Sequence, residues 1–287
     1  MGRVLTVLAL AGLLAAGCSA SAPAARSRPQ VRYYLALGDS LSVGVQPSPA
    51  GASTETRQGY PDQLAVLLRH QEPRLRLARI GCPGETTDTM ISGGICRYQG
   101  GSQLAAAIRF LRAHRGRVAL VTIDIGANDP DSCLTQLPVS KLASCVSKAI
   151  PHATRNLTTI LTRLRRAAPG TRMIGMNYYL PALALWRTGM QGHGFARLAE
   201  LAAQGYNTLV AKVYHSFGIR VANVFAAFRT ADFGHEQAVP GFGRLPSNVA
   251  ALCRWTWACA PPPRGPNLHP NRAGYRVIAR AFLAALR

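Results

Sequence analysis

The sequence predicts an α/β protein: a three-layer α/β/α sandwich around a mainly five-stranded parallel sheet. Two observations carry that reading. Short apolar runs of strand character recur at 31–37, 75–80, 118–125, 172–178 and 219–224. Between them the apolar residues adopt helical spacing at about 61–70, 102–114, 145–167 and 196–216, with a last helix from Arg272 onward. Parallel strands need crossover helices, and a sheet apolar on both faces needs cover on both, so strict alternation of the two patterns points to this architecture. With 287 residues, 48% of them hydrophobic, the chain can bury one substantial core.

The N-terminus reads as an address. Arg3 precedes an apolar segment, Val4 to Ala16, that is too short to cross a bilayer comfortably, and residues 1–17 are expected to be a signal peptide. The segment ends Leu14-Ala15-Ala16-Gly17-Cys18, which resembles the lipobox of bacterial lipoproteins and implies a lipid on Cys18. Ala15 stands where leucine is usual, and cleavage near Ala20 by an ordinary secretory route is the alternative. Residues 18–30, rich in Ala, Ser, Pro and Arg, read as a flexible tether, leaving 31–287 as one domain. The expected location is outside the cell, either anchored on the outer side of the membrane or secreted.

The first strand, Val31 to Leu37, ends at Gly38-Asp39-Ser40-Leu41-Ser42. That puts a serine where the sheet turns toward its first helix, a place where α/β proteins carry a nucleophile but where a serine is most often just a helix N-cap. The second strand runs into Gly81-Cys82-Pro83-Gly84-Glu85-Thr86-Thr87, where a glycine either makes a tight turn or lets the backbone approach a substrate. The third runs into Gly126-Ala127-Asn128-Asp129; Asn128 can donate an amide N–H, and an Asn-Asp pair is also a common turn. In a parallel sheet ligands bind beyond the carboxyl ends of the strands, where these three segments emerge. Near the C-terminus, Pro266-Asn267-Leu268-His269-Pro270-Asn271 places a histidine just before the last helix. Of the others, His70, His114, His152 and His215 fall on helical or helix-end positions, and His193 and His235 in Gly-flanked loops. Long segments at 44–60 and 229–268 break the alternation and are expected to be functional or mobile loops.

Cysteine usage supports export. Apart from Cys18, six cysteines fall into three local couples, Cys82 with Cys96, Cys133 with Cys145 and Cys253 with Cys259, which are expected to be disulfides. No spacing typical of a zinc site occurs, and no metal is expected. The net charge of +21 is mostly arginine, scattered near helix ends, and reads as the composition of a GC-rich genome rather than a nucleic-acid surface.

Taken in order, G-D-S-L-S, C-P-G-E-T, G-A-N-D and L-H-P-N-R-A-G-Y resemble the SGNH (GDSL) hydrolase superfamily over nearly the whole mature chain. The resemblance implies a flavodoxin-like sandwich and ester hydrolysis through an acyl-enzyme, with no cofactor. It implies Ser40 as nucleophile, His269 as general base, and an oxyanion hole from the N–H groups of Ser40 and Gly84 and the side chain of Asn128. One departure stands out. Members of the family commonly carry Asp three residues before the histidine, and here that residue is Pro266. A Ser40/His269 dyad steadied by the main-chain carbonyl of Pro266 or Asn267 is expected, with Asp232 or Glu236 completing a triad from a distance as the alternative. Asp39 reads as a turn-fixing acid, and Trp255 and Trp257 either line an acyl pocket or pack their own loop.

The expected function is that of an exported monomeric serine esterase or lipase acting on acyl esters or lipids. A carbohydrate acetylesterase of the same fold and a non-catalytic envelope-binding lipoprotein are the alternatives.

Overall fold

The computed structural model describes residue 2, residues 30–130, residue 133 and residues 141–287. The expected signal segment and tether, Cys18 included, fall outside them except for residues 2 and 30. The main sheet has five parallel strands among the described residues: β1 (Tyr33–Gly38), β4 (Arg76–Arg79), β5 (Val118–Asp124), β6 (Met173–Met176) and β7 (Arg220–Ala222), ordered β4-β1-β5-β6-β7. Each coincides with a run expected from the sequence, β1 extending one residue past its run to Gly38. Tyr34 to Leu37 of β1 and Val121 to Ile123 of β5 are fully buried, as strands covered on both faces must be.

The covering helices are α1 (Tyr60–Arg69), α3 (Gln103–Ala113), α4 (Leu142–Ala167), α5 (Met190–Ser216) and α8 (Arg272–Ala285). Their ends follow local chemistry. Pro61 opens α1, Ser102 Oγ accepts the Ala105 N–H to cap α3, and Asn271 Oδ1 accepts the N–H groups of Ala273 and Gly274 to cap α8. Tyr60 of α1 stacks on Phe282 of α8 with ring centroids 4.6 Å apart, joining the two on one side of the sheet. No helix among the described residues is long and apolar enough to cross a membrane.

Strand order reverses between β1 and β5, whose register brings Gly38 opposite Asp124 at their carboxyl ends. Such a switch point leaves a crevice for ligand. Gly38 is required there: its φ is +139°, and a Cβ would lie 2.1 Å from the Asp124 carbonyl oxygen.

The two long segments are more ordered than their composition suggests. Residues 44–60 hold the hairpin β2 (Gln46–Pro47) and β3 (Ser53–Thr54). The other holds the hairpin β8 (Glu236–Val239) and β9 (Gly243–Pro246), helix α7 (Ser247–Trp255), and the antiparallel pair β10 (Thr256–Trp257) and β11 (Asn267–Pro270). Three shorter elements are α2 (Thr87–Ser92), a 3-10 helix at Pro181–Thr188, and α6 (Val224–Ala227). Disulfides join Cys82 to Cys96, Cys133 to Cys145, and Cys253 to Cys259.

Candidate active site

Ser40 follows β1 through a turn held from several sides. Asp39 Oδ1 accepts the Leu41 N–H at 2.9 Å, the Asp39 N–H donates to the Asp124 carbonyl at 3.1 Å, and the Ser40 carbonyl accepts the Val45 N–H at 3.0 Å. Asp39 thus fixes the turn as an Asx-type acceptor rather than facing a substrate. Beneath it lies Asp124, which is fully buried and accepts the Tyr60 hydroxyl at 2.5 Å. Burial first, and the neighbouring Asp39 charge second, push the Asp124 carboxyl well above the usual carboxylate range.

His269 reaches Ser40 from the far end of the chain, with Nε2 3.0 Å from Ser40 Oγ. Its place is set by β11, which pairs with β10, and by the Asn271 cap of α8 immediately after it. Asn271 is itself tied to α7, donating its N–H to Trp255 O at 3.0 Å and its Nδ2 to Arg254 O at 2.9 Å.

The oxygen that orients the imidazole differs from the expected one. Asn267 Oδ1, a side-chain atom, lies 2.9 Å from His269 Nδ1, and neither main-chain carbonyl of Pro266 and Asn267 takes that role. The same Oδ1 accepts the His269 main-chain N–H at 3.0 Å. A main-chain N–H can only donate, so the amide atom facing both groups is the oxygen. Nδ1 therefore carries the ring proton, and Nε2 presents a lone pair to the Ser40 hydroxyl. Asparagine two residues before the histidine was a readable signal, since short polar side chains often bond backbone two positions on. The distant acids are engaged elsewhere: Asp232 with His235 at 2.9 Å and Glu236 with Arg244 at 3.1 Å.

His269 is partly buried, and desolvation holds its pKa down, to about 4 from the ordinary 6.5. The charged form has no carboxylate to compensate its lost hydration, so the neutral base is the resting state.

The loops after β4 and β5 leave the same end of the sheet as Ser40, the Cys82 N–H donating to the Gly38 carbonyl at 3.0 Å. Gly84 has φ +80° and is exposed, with open space where a Cβ would be. No acceptor among the described residues meets the main-chain N–H of Ser40 or of Gly84. Asn128 donates one Nδ2 hydrogen to the Glu85 carbonyl at 2.8 Å, which leaves its second amide hydrogen for a ligand. Asp129 binds the loops together, accepting the Thr87 N–H at 3.0 Å and the Thr87 hydroxyl at 2.5 Å.

Gln103 was not legible as a site residue. Fully buried, it accepts the Gly38 N–H at 2.7 Å, donates to the Gly38 carbonyl at 2.9 Å and donates to Glu85 Oε2 at 2.9 Å. It pairs with the end of β1 as a neighbouring strand would, and also grips the residue after Gly84.

The remaining candidates lie elsewhere. His70 and His114 cap helices, with His114 packed on Tyr33 at 4.1 Å, and His152 faces Asp88. His193 sits within α5, not in a loop, stacked on Trp186 at 4.0 Å. Trp255 packs edge-on against Phe228 at 5.3 Å, while Trp257 lines a separate cavity of about 330 Å³ with Val239, Phe242 and Thr256.

A serine hydroxyl, a neutral imidazole oriented to accept its proton, and three uncommitted N–H donors nearby form a constellation able to carry out acyl transfer. The family model described as GDSL-like Lipase/Acylhydrolase matches residues 36–277. No curated protein matches the chain in sequence. Among solved structures, the extracellular lipase of Streptomyces rimosus is similar at 19% identity and a TM-score of 0.55, covering 88% of this chain and 99% of that one. Phospholipase A1 of Streptomyces albidoflavus NA297 is similar at 17% identity and TM-score 0.52, covering 89% and 100%. An acetyl-xylooligosaccharide esterase of Geobacillus is similar at 18% identity and TM-score 0.50, covering 89% and 94%. At these identities the likeness is one of fold.

Proposed function

Belonging to the GDSL-like lipase/acylhydrolase family, the chain is a carboxylic ester hydrolase, and we propose that it is an exported serine esterase or lipase that works through an acyl-enzyme on Ser40. The observation that carries this reading is the 3.0 Å contact between Ser40 Oγ and His269 Nε2, with Nδ1 held by Asn267.

His269 Nε2 takes the Ser40 proton as Oγ attacks the ester carbonyl carbon. The carbonyl oxygen becomes an oxyanion, received by the N–H groups of Ser40 and Gly84 and the free Nδ2 hydrogen of Asn128. Each such donor contributes about 3 kcal/mol to the transition state, so the three together outweigh any single other contribution. The imidazolium then protonates the departing alcohol oxygen as the C–O bond breaks, leaving Ser40 acylated. Water gives a proton to Nε2 and attacks the acyl carbon. Collapse of this second intermediate releases the carboxylic acid and returns the proton to Ser40 Oγ.

Three disulfides support an oxidising compartment. Lipidation of Cys18, in the reading offered here, would hold the domain by the tether at the membrane. N-terminal mass spectrometry tests it, since a diacylglycerol adduct on Cys18 separates anchoring from free secretion.

Fluorophosphonate labelling tests the nucleophile: the wild-type chain should label and Ser40→Ala should not. A folded protein that neither labels nor hydrolyses any short ester sinks the reading. A p-nitrophenyl ester series then fixes the class. Turnover of C8 and longer esters supports a lipase, and activity confined to acetate supports a carbohydrate acetylesterase instead.

A further inference from the structure

Helix α5 carries two apolar faces. One is buried, with Ala196, Tyr206, Val210 and Tyr214 against the core. On the opposite side Met190, Leu198, Leu201 and Leu209 are exposed by 88%, 68%, 63% and 42%. At about 100° per residue these four fall within an arc of about 100°, centred opposite the buried residues. A covering helix needs one apolar face, so the second has no role in the fold.

The stripe is not scatter. Of the ten large hydrophobic residues that are exposed among the described residues, six lie between Leu185 and Leu209. A seventh, Phe242, lies under Arg187, whose guanidinium is 4.1 Å from its ring centroid. Concentrated apolar exposure of this kind marks an interaction surface. It also lies on the side where Ser40 opens. Tyr206 Oη donates to the Gly126 carbonyl at 2.6 Å and Asn207 pairs with both the N–H and the carbonyl of Tyr178, which pins the middle of α5 level with the carboxyl ends of the strands. The exposed residues Met190, Leu198 and Leu201 precede that point.

Charge decides the partner. Beside the exposed side chains stand Arg187 and Arg197; the one acid of α5, Glu200, is buried, and Asp232 and Glu236 of the neighbouring segment are paired with His235 and Arg244. Arg187 and Arg197 lie over aromatic rings of this same region, Arg197 4.6 Å from the Phe233 centroid. Two copies of so cationic a face repel each other, whereas an anionic lipid surface accepts apolar side chains below its headgroups and arginines among them. We propose that the exposed face of α5, with Leu185, Phe242 and Arg187 beside it, docks the domain on anionic lipid and turns the Ser40 side toward the bilayer.

Vesicle flotation tests this with the chain from residue 18 onward bearing Cys18→Ser, so that neither the apolar leader nor an N-terminal lipid contributes. The protein should float with vesicles of phosphatidylcholine and phosphatidylglycerol at a ratio of 7:3, and at least tenfold less with phosphatidylcholine alone. The combined change Met190→Ser, Leu198→Ser and Leu201→Ser should lower partitioning at least tenfold, with an unchanged circular-dichroism spectrum and melting midpoint. If that variant melts early, Leu198→Ser alone should still lower partitioning at least twofold. Ser40→Ala should float like the parent, so binding and the esterase reading fail separately. Equal flotation of the parent and the serine variants would overturn the proposal, as would absence of binding to anionic vesicles. A concentration-dependent dimer abolished by the triple change would also overturn it, assigning the face to a second copy.

Discussion

The amide oxygen of Asn267 lies 2.9 Å from Nδ1 of His269, in the place that the aspartate carboxylate takes in a Ser-His-Asp triad. An amide oxygen fixes the tautomer and ring orientation as a carboxylate does, and lacks the negative charge that favours imidazolium. Asn267→Ala should lower kcat about 10- to 100-fold, a part of the 10²- to 10⁴-fold that general acid–base catalysis contributes. Asn267→Asp keeps the acceptor and adds charge, so the acid limb of the rate profile should move up by about one pH unit or more. An unmoved limb in that variant would show that Asn267 does not face the catalytic ring in solution.

The wild-type pH profile follows from the burial of His269. Its pKa is held at about 4, and the base works neutral, so kcat/KM on a soluble ester should stay level from pH 8 to about pH 5. It should fall to half near pH 4. The linkage has a matching sign. With the folded pKa depressed below the ordinary 6.5, the unfolded chain binds more protons between pH 6.5 and 4. His269 therefore contributes stability that is complete above the unfolded value and is lost as pH falls through that interval. A kinetic limb at pH 6.5 or above would contradict the desolvated environment.

Gln103 spans two segments that are remote in sequence, Gly38 before Ser40 and Glu85 after Gly84. Gln103→Leu leaves three buried polar groups without that partner and should cost about 3 kcal/mol of stability, readable in urea unfolding. Gln103→Glu can still accept the Gly38 N–H but sets a carboxylate against Glu85 Oε2, so it should not restore stability. Two variants that unfold with the wild type would mean the bridge contributes nothing.

The central fold could be read in the sequence because its five strands are buried on both faces and stand out as apolar runs, such as Tyr34 to Leu37. Ser40 and His269 were legible for a different reason: each sits in a short segment that ends one element and begins another. Helix α7 was missed because Ser247 to Leu252 are all buried, so no polar face gave it a period. Gln103 was missed because its bonds to Gly38 span 65 residues and nothing in the local pattern of α3 distinguishes it. Asn267 is close to His269 in sequence, and it is its side-chain oxygen rather than a main-chain carbonyl that meets the ring.

Asp129 couples the loops that carry Gly84 and Asn128 by accepting both the N–H and the hydroxyl of Thr87. With Gly84 and Asn128 as the proposed oxyanion donors, Asp129 positions both, and its loss should act on the transition state more than on binding. Asp129→Ala is expected to lower kcat at least tenfold while KM changes less than about twofold, the signature of donors displaced from a developing oxyanion. A rise in KM with kcat preserved would instead mean that Asp129 shapes the substrate pocket.

The Cys82–Cys96 disulfide closes a segment with a separation of 14 residues that contains Gly84 and α2. The Cys253–Cys259 bridge spans 6. Loop-closure entropy predicts that removing the first costs about 3 kcal/mol and the second about 2 kcal/mol. The functional difference should be larger than that difference in stability. Cys82→Ala with Cys96→Ala frees the backbone that presents the Gly84 N–H, so kcat should fall even where the protein remains fully folded. Cys253→Ala with Cys259→Ala leaves the Gly84 segment untouched and retains the Asn271 tether to Arg254 and Trp255, so its kcat should fall less. Thermal unfolding and steady-state kinetics on both pairs check the argument. Equal losses of kcat would show that the first bridge serves stability alone.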